Sequence, residues 1–104
     1  MDEEKKIILV VEDEKPLRIA LCNVLQDEGF CILEAEDGKI ALELMRDNRP
    51  NLIITDLKMP KVDGKKLLKR IKEIDQTLPV IVITAYGTSS TAIDAMKHGA
   101  YDYI

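Results

Sequence analysis

The sequence contains no hydrophobic run that could cross a membrane. Its apolar runs are short, such as IILVV at residues 7–11, whereas a membrane-spanning helix needs about 20 consecutive apolar residues. The MDEEKK start carries no secretory hydrophobic segment. We therefore expect no membrane partner and a cytoplasmic location.

Cysteine is scarce, and the two cysteines lack the spacing of a metal site. Cys22 and Cys31 are not part of a CxxC or a Cys/His pattern. Each stands among apolar residues, where a free cysteine behaves as a small hydrophobic side chain. We expect two buried free thiols rather than a disulfide or a metal centre.

The chain also lacks an excess of positive charge. Its 104 residues are 46% hydrophobic and 33% charged, with a net charge of −4, which is the composition of one globular domain. The negative charge argues against direct contact with nucleic acid phosphates. No glycine-rich phosphate loop follows the first apolar run. This argues against a nucleotide-binding flavodoxin-like domain, which would carry such a loop after its first strand.

The residues that are present alternate between short apolar runs and helical patterns. The apolar runs are continuous, which is typical of parallel strands covered on both faces. Repeated strand and helix units predict an open, doubly wound α/β sheet. The predicted strands span 7–11, 30–35, 52–55 and 80–83, and the predicted helices span 16–28, 38–47, 64–74 and 88–98.

Acidic residues stand where the predicted strands end. Glu12 and Asp13 follow the first strand, Asp56 ends the third, and Thr84 follows the fourth. Ligands bind at this edge in doubly wound sheets.

Two carboxylates about 4 Å apart repel by roughly 4 kcal/mol at an effective dielectric constant of 20. Either a hard cation such as Mg²⁺ or a raised pKa on one acid must offset that repulsion. The alternative role for these acids is helix capping.

Four segments resemble the receiver domain of two-component response regulators: ILVVEDE, TDLKMPKVDG, ITAYG and GAYDY. The resemblance covers nearly the whole chain and implies one receiver domain over residues 1–104. The implied fold is a flavodoxin-like (βα)₅ sheet with strand order 2-1-3-4-5. The implied function is phosphorelay signalling by a phosphoacceptor, not an enzyme, that receives its phosphoryl group from a sensor histidine kinase.

The resemblance also implies roles for individual residues. Asp56 is the implied phosphoacceptor, and a carboxylate is a competent nucleophile for this transfer. The implied Mg²⁺ ligands are Asp13, Asp56 and the backbone carbonyl of Lys58, with Glu12 acting through water. The remaining implied roles are phosphate binding and switching by Thr84, Ala85 and Tyr103, and shaping of the loops by Met59, Pro60 and Gly64.

The sequence departs from the family pattern at its end. Receiver domains typically carry a Lys two residues after the position of Ile104, followed by Pro and a fifth helix. The sequence stops before these features, so the last strand and helix are expected to be truncated and the chain to be a fragment of a longer protein. The two alternatives are a disordered end and a variant that pairs with another copy.

The segment TAYGTSSTAIDAMKHGAYDYI resembles the nitrogen-regulator-type transcription activators. This resemblance implies ATPase and DNA-binding output domains in the same longer chain, and it allows a homodimer through the fourth helix and fifth strand. By family analogy, Ile19, Cys22 and Asn23 on the first helix face the partner kinase.

Two rival functions remain open at this point. A receiver-like module could dock partners without being phosphorylated, which the missing Lys favours and the complete set of acids opposes. A Mg²⁺-dependent aspartyl-phosphate phosphohydrolase also uses an Asp at a strand end. Such enzymes usually need a second acid two residues later, where this chain has Lys58.

Overall fold

The molecule is a parallel β-sheet with helices packed on both faces. The computed structural model describes residues 6–56, 64–83 and 102–103. The predicted helix over 88–98 lies outside these ranges. In chain order the elements are β1 (Ile7–Val11), α1 (Lys15–Asp27), β2 (Cys31–Ala35), α2 (Gly38–Asp47), β3 (Leu52–Asp56), α3 (Gly64–Ile74), β4 (Val80–Ile83) and β5 (Asp102–Tyr103).

The five strands lie in the order β2-β1-β3-β4-β5. All four neighbouring pairs are parallel, which confirms the predicted doubly wound sheet and its strand order. β3 is the central strand, and its neighbour β1 pairs with it so that Val11 lies opposite Thr55. On the other side of β3, Asp56 lies opposite Ile83 of β4. The chain therefore reverses its direction of travel across the sheet beside β1, as doubly wound folds do at their binding edge.

Alternate side chains of the central strands enter two separate cores. Leu9 and Ile53 pack with α2 and α3 on one face, whereas Ile8, Val10 and Ile54 pack with α1 on the other. Successive side chains of a strand point to opposite faces, so a strand covered on both sides must be apolar at every position. Residues 8–11 are all buried, which confirms this interpretation of the continuous apolar runs.

The ends of α1 and α2 follow from local sequence. Pro16 stands in the first turn of α1, where its missing N–H costs nothing. Gly29 ends α1 with φ of +97°. The Gly29 N–H donates to the Gln26 carbonyl at 2.9 Å and the Phe30 N–H to the Leu25 carbonyl at 3.2 Å, the bond pair of a Schellman motif. The predicted stop at Gly29 is confirmed.

The two cysteines differ in their surroundings. Cys22 is buried as predicted, whereas Cys31 is exposed, and neither forms a disulfide. The prediction for Cys31 was wrong because β2 is an edge strand with a neighbour on one side only, and Cys31 is its first residue. The prediction that Cys22 faces a partner was also wrong, since Cys22 packs against the sheet while Ile19 of the same helix is 42% exposed.

Candidate functional site

The carboxyl ends of β1 and β3 bring the predicted acids to one edge of the sheet. Val11 and Thr55 are opposite each other in the parallel register, and the next residue along each strand is Glu12 or Asp56. Asp56 is the last residue of β3. Glu12 and Asp56 are far apart along the chain, and the strand order alone makes them neighbours.

Glu12 is held by main-chain contacts on two sides. Its N–H donates to the Ala35 carbonyl at the end of β2, at 3.0 Å. Its carbonyl accepts a hydrogen bond from Arg18 Nη1 at 2.8 Å. Glu12 is only 3% exposed, whereas Asp13 beside it is exposed. The segment therefore presents one buried acid and one solvent-accessible acid.

Helix capping does not explain Asp13. The N-cap of α1 is Glu14, and its side chain makes no capping hydrogen bond. The same chain shows what a capping aspartate looks like at α2, where Asp37 Oδ1 accepts a hydrogen bond from the Ile40 N–H at 2.9 Å. The capping alternative for Asp13 is therefore wrong, and its carboxylate remains available for another role.

The donor chemistry of this edge suits magnesium. Carboxylate oxygens from Glu12, Asp13 and Asp56 are hard ligands, which Mg²⁺ prefers, and Mg²⁺ commonly binds through one or two carboxylates while retaining waters. Among the described side chains, no group of three or more His, Cys, Asp or Glu residues lies close enough to hold a metal ion. The side chain of Asp56 is outside that set, so the full ligand set stays a prediction.

The remaining predicted site residues fall in different parts of the chain. Gly64 is the first residue of α3, and Tyr103 lies on β5 opposite Val82, so Tyr103 occupies the fifth strand as predicted. The other predicted residues lie outside the described ranges: Lys58, Met59, Pro60, Thr84 and Ala85.

Comparison with known proteins decides the family. The model of the response regulator receiver domain matches residues 8–104. The chain belongs to the response regulator receiver domain family. Receiver domains are phosphoacceptors that act in phosphorelay signalling through a phosphorylated aspartate, and they pair with histidine kinases. The family is known to bind Mg²⁺.

Individual relatives support the same assignment of this receiver. Sporulation initiation phosphotransferase F of Bacillus subtilis is 39% identical over 93 residues, covering 89% of this chain and 75% of that protein. The DNA-binding transcriptional regulator NtrC of Escherichia coli is 35% identical over 101 residues, covering 97% of this chain and 22% of that protein. The crystal structure of NtrX from Brucella abortus matches with a TM-score of 0.91 and 37% identity, covering 97% of this chain and 23% of that one.

The match to NtrC and NtrX confirms the predicted similarity to the nitrogen-regulator-type activators. NtrC-like relatives carry larger output domains. This receiver spans between 8% and 42% of the length of the longer curated relatives that it matches. None of the described helices is long and apolar enough to cross a bilayer.

Arg18 is a residue of this site that the sequence motifs do not include. This residue stands one turn inside α1 and contacts the carbonyl of Glu12. The signal in the sequence was a positively charged residue a few positions after the acids Glu12 and Asp13. Taken alone, an arginine in a helix is usually interpreted as a solvated surface residue. Only the packing of α1 against the sheet brings the guanidinium to the Glu12 main chain.

Proposed function

We propose that Asp56 is the phosphoacceptor of this receiver domain and that its phosphorylation switches the domain between two conformations. The observation that carries the proposal is the sheet register, which sets the end of β3 at Asp56 beside the end of β1 at Glu12 and Asp13. The membership of the receiver family supports the same assignment.

The transfer step needs a positioned carboxylate and neutralised charge. An oxygen of the Asp56 carboxylate forms a bond to phosphorus while the phosphorus–nitrogen bond of a kinase phosphohistidine breaks. The leaving ring nitrogen keeps the electron pair of that bond. A bound Mg²⁺ supplies neutralisation of the phosphoryl oxygens. The residues proposed to hold the ion are Asp13, Asp56 and the Lys58 carbonyl, with Glu12 acting through water.

We propose that the same residues assist hydrolysis of the aspartyl phosphate, in which a water oxygen bonds to phosphorus while the bond from phosphorus to the Asp56 carboxylate oxygen breaks. A receiver that orients water at its own aspartyl phosphate assists its dephosphorylation without turning over an external substrate. We therefore place the protein among phosphoacceptors that assist their own reactions rather than among enzymes with a separate substrate. Lys58 stands where a phosphohydrolase would carry its second acid, which favours the receiver over the phosphohydrolase.

Phosphorylation acts as a switch by favouring one of two conformations. The modification adds roughly −1.5 to −2 charges and three acceptor oxygens. We propose that Thr84 and the Ala85 amide bind the phosphoryl group. We also propose that Tyr103 on β5 then turns inward as part of the switch. Moving a population from 1:99 to 99:1 requires about 5.5 kcal/mol of preference for the active state, so a smaller preference gives a graded output.

The partners follow from the nitrogen-regulator-type relatives. We propose a sensor histidine kinase as the phosphodonor and output domains for ATP hydrolysis and DNA binding in the same longer protein. A homodimer through the fourth helix and fifth strand would relay the signal to them, and the cytoplasm is the proposed location. The receiver itself, with a net charge of −4, is not the part that contacts nucleic acid.

Intact mass measured after incubation with Mg²⁺ and acetyl phosphate tests the assignment of Asp56. We expect the wild-type protein to gain one phosphoryl group and the Asp56→Asn variant to gain none, because an amide is not a nucleophile for this transfer. Asp27→Asn, which changes an exposed acid at the end of α1, is the matched control and should gain the group normally. Chelating the Mg²⁺ should abolish the gain.

Two other outcomes would contradict the proposal. Continuous release of phosphate from external phosphomonoesters would identify a phosphohydrolase. No mass gain in the wild-type protein and no hydrolysis would identify a docking module.

A further inference from the structure

The side chain of Arg18 is tied to the main chain of the acidic segment. Its Nη1 donates to the Glu12 carbonyl at 2.8 Å, and its side chain is only 13% exposed. Holding an arginine in one geometry costs side-chain rotamer entropy. An arginine that is fixed and largely buried in this way is not an ordinary solvated helix residue.

A second contact fixes the other side of the guanidinium. Arg18 Nε lies 3.4 Å from Glu34 Oε1 on β2, and Glu34 is directly opposite Val10 of β1. Cys22, one turn further along α1, is buried on the same face of the helix. Arg18 is thus held between the first helix, the edge strand and the end of β1.

The turn from β1 into α1 is attached differently from the turn into α2. Its N-cap residue, Glu14, makes no side-chain capping bond, unlike Asp37 at the start of α2. The Glu12 N–H donates to the Ala35 carbonyl, so the bond from Arg18 to the Glu12 carbonyl holds the main chain of Glu12 on both sides. The guanidinium thus ties the turn to α1 through a main-chain carbonyl, in a turn that has no side-chain cap.

The choice of acceptor matters for the chemistry of the site. Arg18 is hydrogen bonded to the Glu12 carbonyl rather than to the carboxylates of Glu12 or Asp13. It brings a positive charge next to the Glu12 main chain, and the Asp13 side chain stays exposed. A cation arranged this way orients a ligand segment without competing with a metal for its oxygens.

We propose that Arg18 is a positioning residue for the Mg²⁺ site, which it serves by fixing the Glu12–Asp13 segment at the edge of the sheet. This proposal rests on the proposed function for the identity of the ion and the reaction. Partners in the outer shell of a metal site typically change metal affinity by about 10–100-fold when they are replaced.

The test compares Arg18→Gln with Arg18→Lys and with the control Arg70→Gln. Arg70 is 63% exposed on α3 and has no contact with the acidic segment among the described residues. Each unphosphorylated protein is titrated with Mg²⁺ while amide NMR shifts at Glu12 and Asp13 are followed. Phosphorylation by acetyl phosphate is then measured as a function of Mg²⁺ concentration.

We expect Arg18→Gln to raise the Mg²⁺ concentration for half-saturation by about tenfold, with the phosphorylation rate recovered at saturating Mg²⁺. Arg18→Lys should show a smaller increase than Arg18→Gln, because lysine keeps the positive charge. The increase should not vanish, because one ammonium cannot reproduce the fork of donors that reaches both Glu12 and Glu34. Without Mg²⁺, amide hydrogen exchange at residues 12–14 should quicken in Arg18→Gln and stay unchanged in Arg70→Gln.

Specific results would overturn the proposal. Equal Mg²⁺ affinity in wild-type and Arg18→Gln proteins, with a normally phosphorylated wild type, would reject the role of Arg18 and leave the proposed function intact. A lower maximal rate at saturating Mg²⁺ with unchanged affinity would also reject positioning. If Arg18→Gln fails to fold, Glu34→Gln replaces it, since releasing the guanidinium should still weaken Mg²⁺ binding. A wild-type protein that binds no Mg²⁺ would reject both proposals.

Discussion

Two aspartates occupy similar places in the sequence and have different roles in the molecule. Asp13 and Asp37 each stand two residues after the end of a strand. Asp37 is buried and caps α2, whereas Asp13 is exposed and the cap position of α1 falls on Glu14. Sequence spacing therefore identifies both as acids of strand-to-helix turns, and the hydrogen bonds alone separate the capping acid from the candidate ligand.

Cys22 gives a prediction about pH. Burial raises the pKa of the Cys22 thiol from 9.0 to about 11, and the neighbouring Glu34 carboxylate adds to the increase. Between these values the unfolded chain loses the proton that the folded protein keeps. The stability from this group is therefore complete below about pH 9 and is lost as the pH rises towards 11, by at most about 3 kcal/mol.

Urea unfolding at a series of pH values from 8 to 11 checks this prediction. Wild-type protein and Cys31→Ala, which removes the exposed thiol, should share the same decline in the free energy of unfolding. Cys22→Ala should start from a lower stability and decline less steeply over this interval. Parallel declines for all three proteins would show that Cys22 does not contribute to the pH dependence.

Individual elements take their boundaries from local chemistry. α2 and α3 have the predicted bounds of 38–47 and 64–74, while α1 is displaced by one residue at each end, to Lys15–Asp27. Cap residues and glycines specify these boundaries through bonds within a few residues, so the sequence predicts them well. The edge position of β2, by contrast, depends on strand order, and this is why Cys31 was misassigned.

Gly29 gives a prediction at the scale of one helix. Replacing it with Ala forces a side chain into φ of +97°, where L-residues are strained by about 1–2 kcal/mol. A Cβ built at this position meets no atom within 4 Å, so the cost is confined to the backbone. We expect Gly29→Ala to lower the free energy of unfolding by that amount in urea denaturation.

Gly29→Asn is the matched comparison for this effect. Asn tolerates left-handed backbone conformations better than Ala, so it should recover part of the lost stability despite its larger side chain. A loss for Asn that exceeds the loss for Ala would indicate a steric cost and contradict the purely conformational explanation.

In the part of the chain that the structure describes, two cores separated by one sheet stabilise the domain. α2 and α3 cover one face and α1 covers the other. A strand such as β1 is consequently buried on both sides, and its apolar residues contribute to both cores. Damage to either helical layer should therefore lower the stability of the entire domain.

Two isoleucines on α3 test this statement within one helix. Ile71 is 0% exposed and Ile74 is 58% exposed. Ile71→Ala should lower the free energy of unfolding by about 2–5 kcal/mol through lost burial and a new cavity. Ile74→Ala should change it by less than about 0.5 kcal/mol. Thermal and urea unfolding of both variants provide the measurement, and similar losses would contradict the assigned core.

The sequence by itself determined the class of fold and the candidate acids. Continuous apolar runs separated by helical patterns specify buried parallel strands, because each strand must offer apolar side chains to two helical layers. Acids placed directly after those strands specify the candidate site, since Glu12, Asp13 and Asp56 all stand at the same end of their strands.

Only the tertiary structure decided which groups meet. The register of β1 against β3 set Glu12 beside Asp56, and the packing of α1 brought Arg18 to the Glu12 carbonyl. Contacts between residues distant in the chain depend on strand order and helix placement, which arise from the burial of the whole core. No local pattern encodes them, and for that reason the acids were predictable while the arginine that holds them was not.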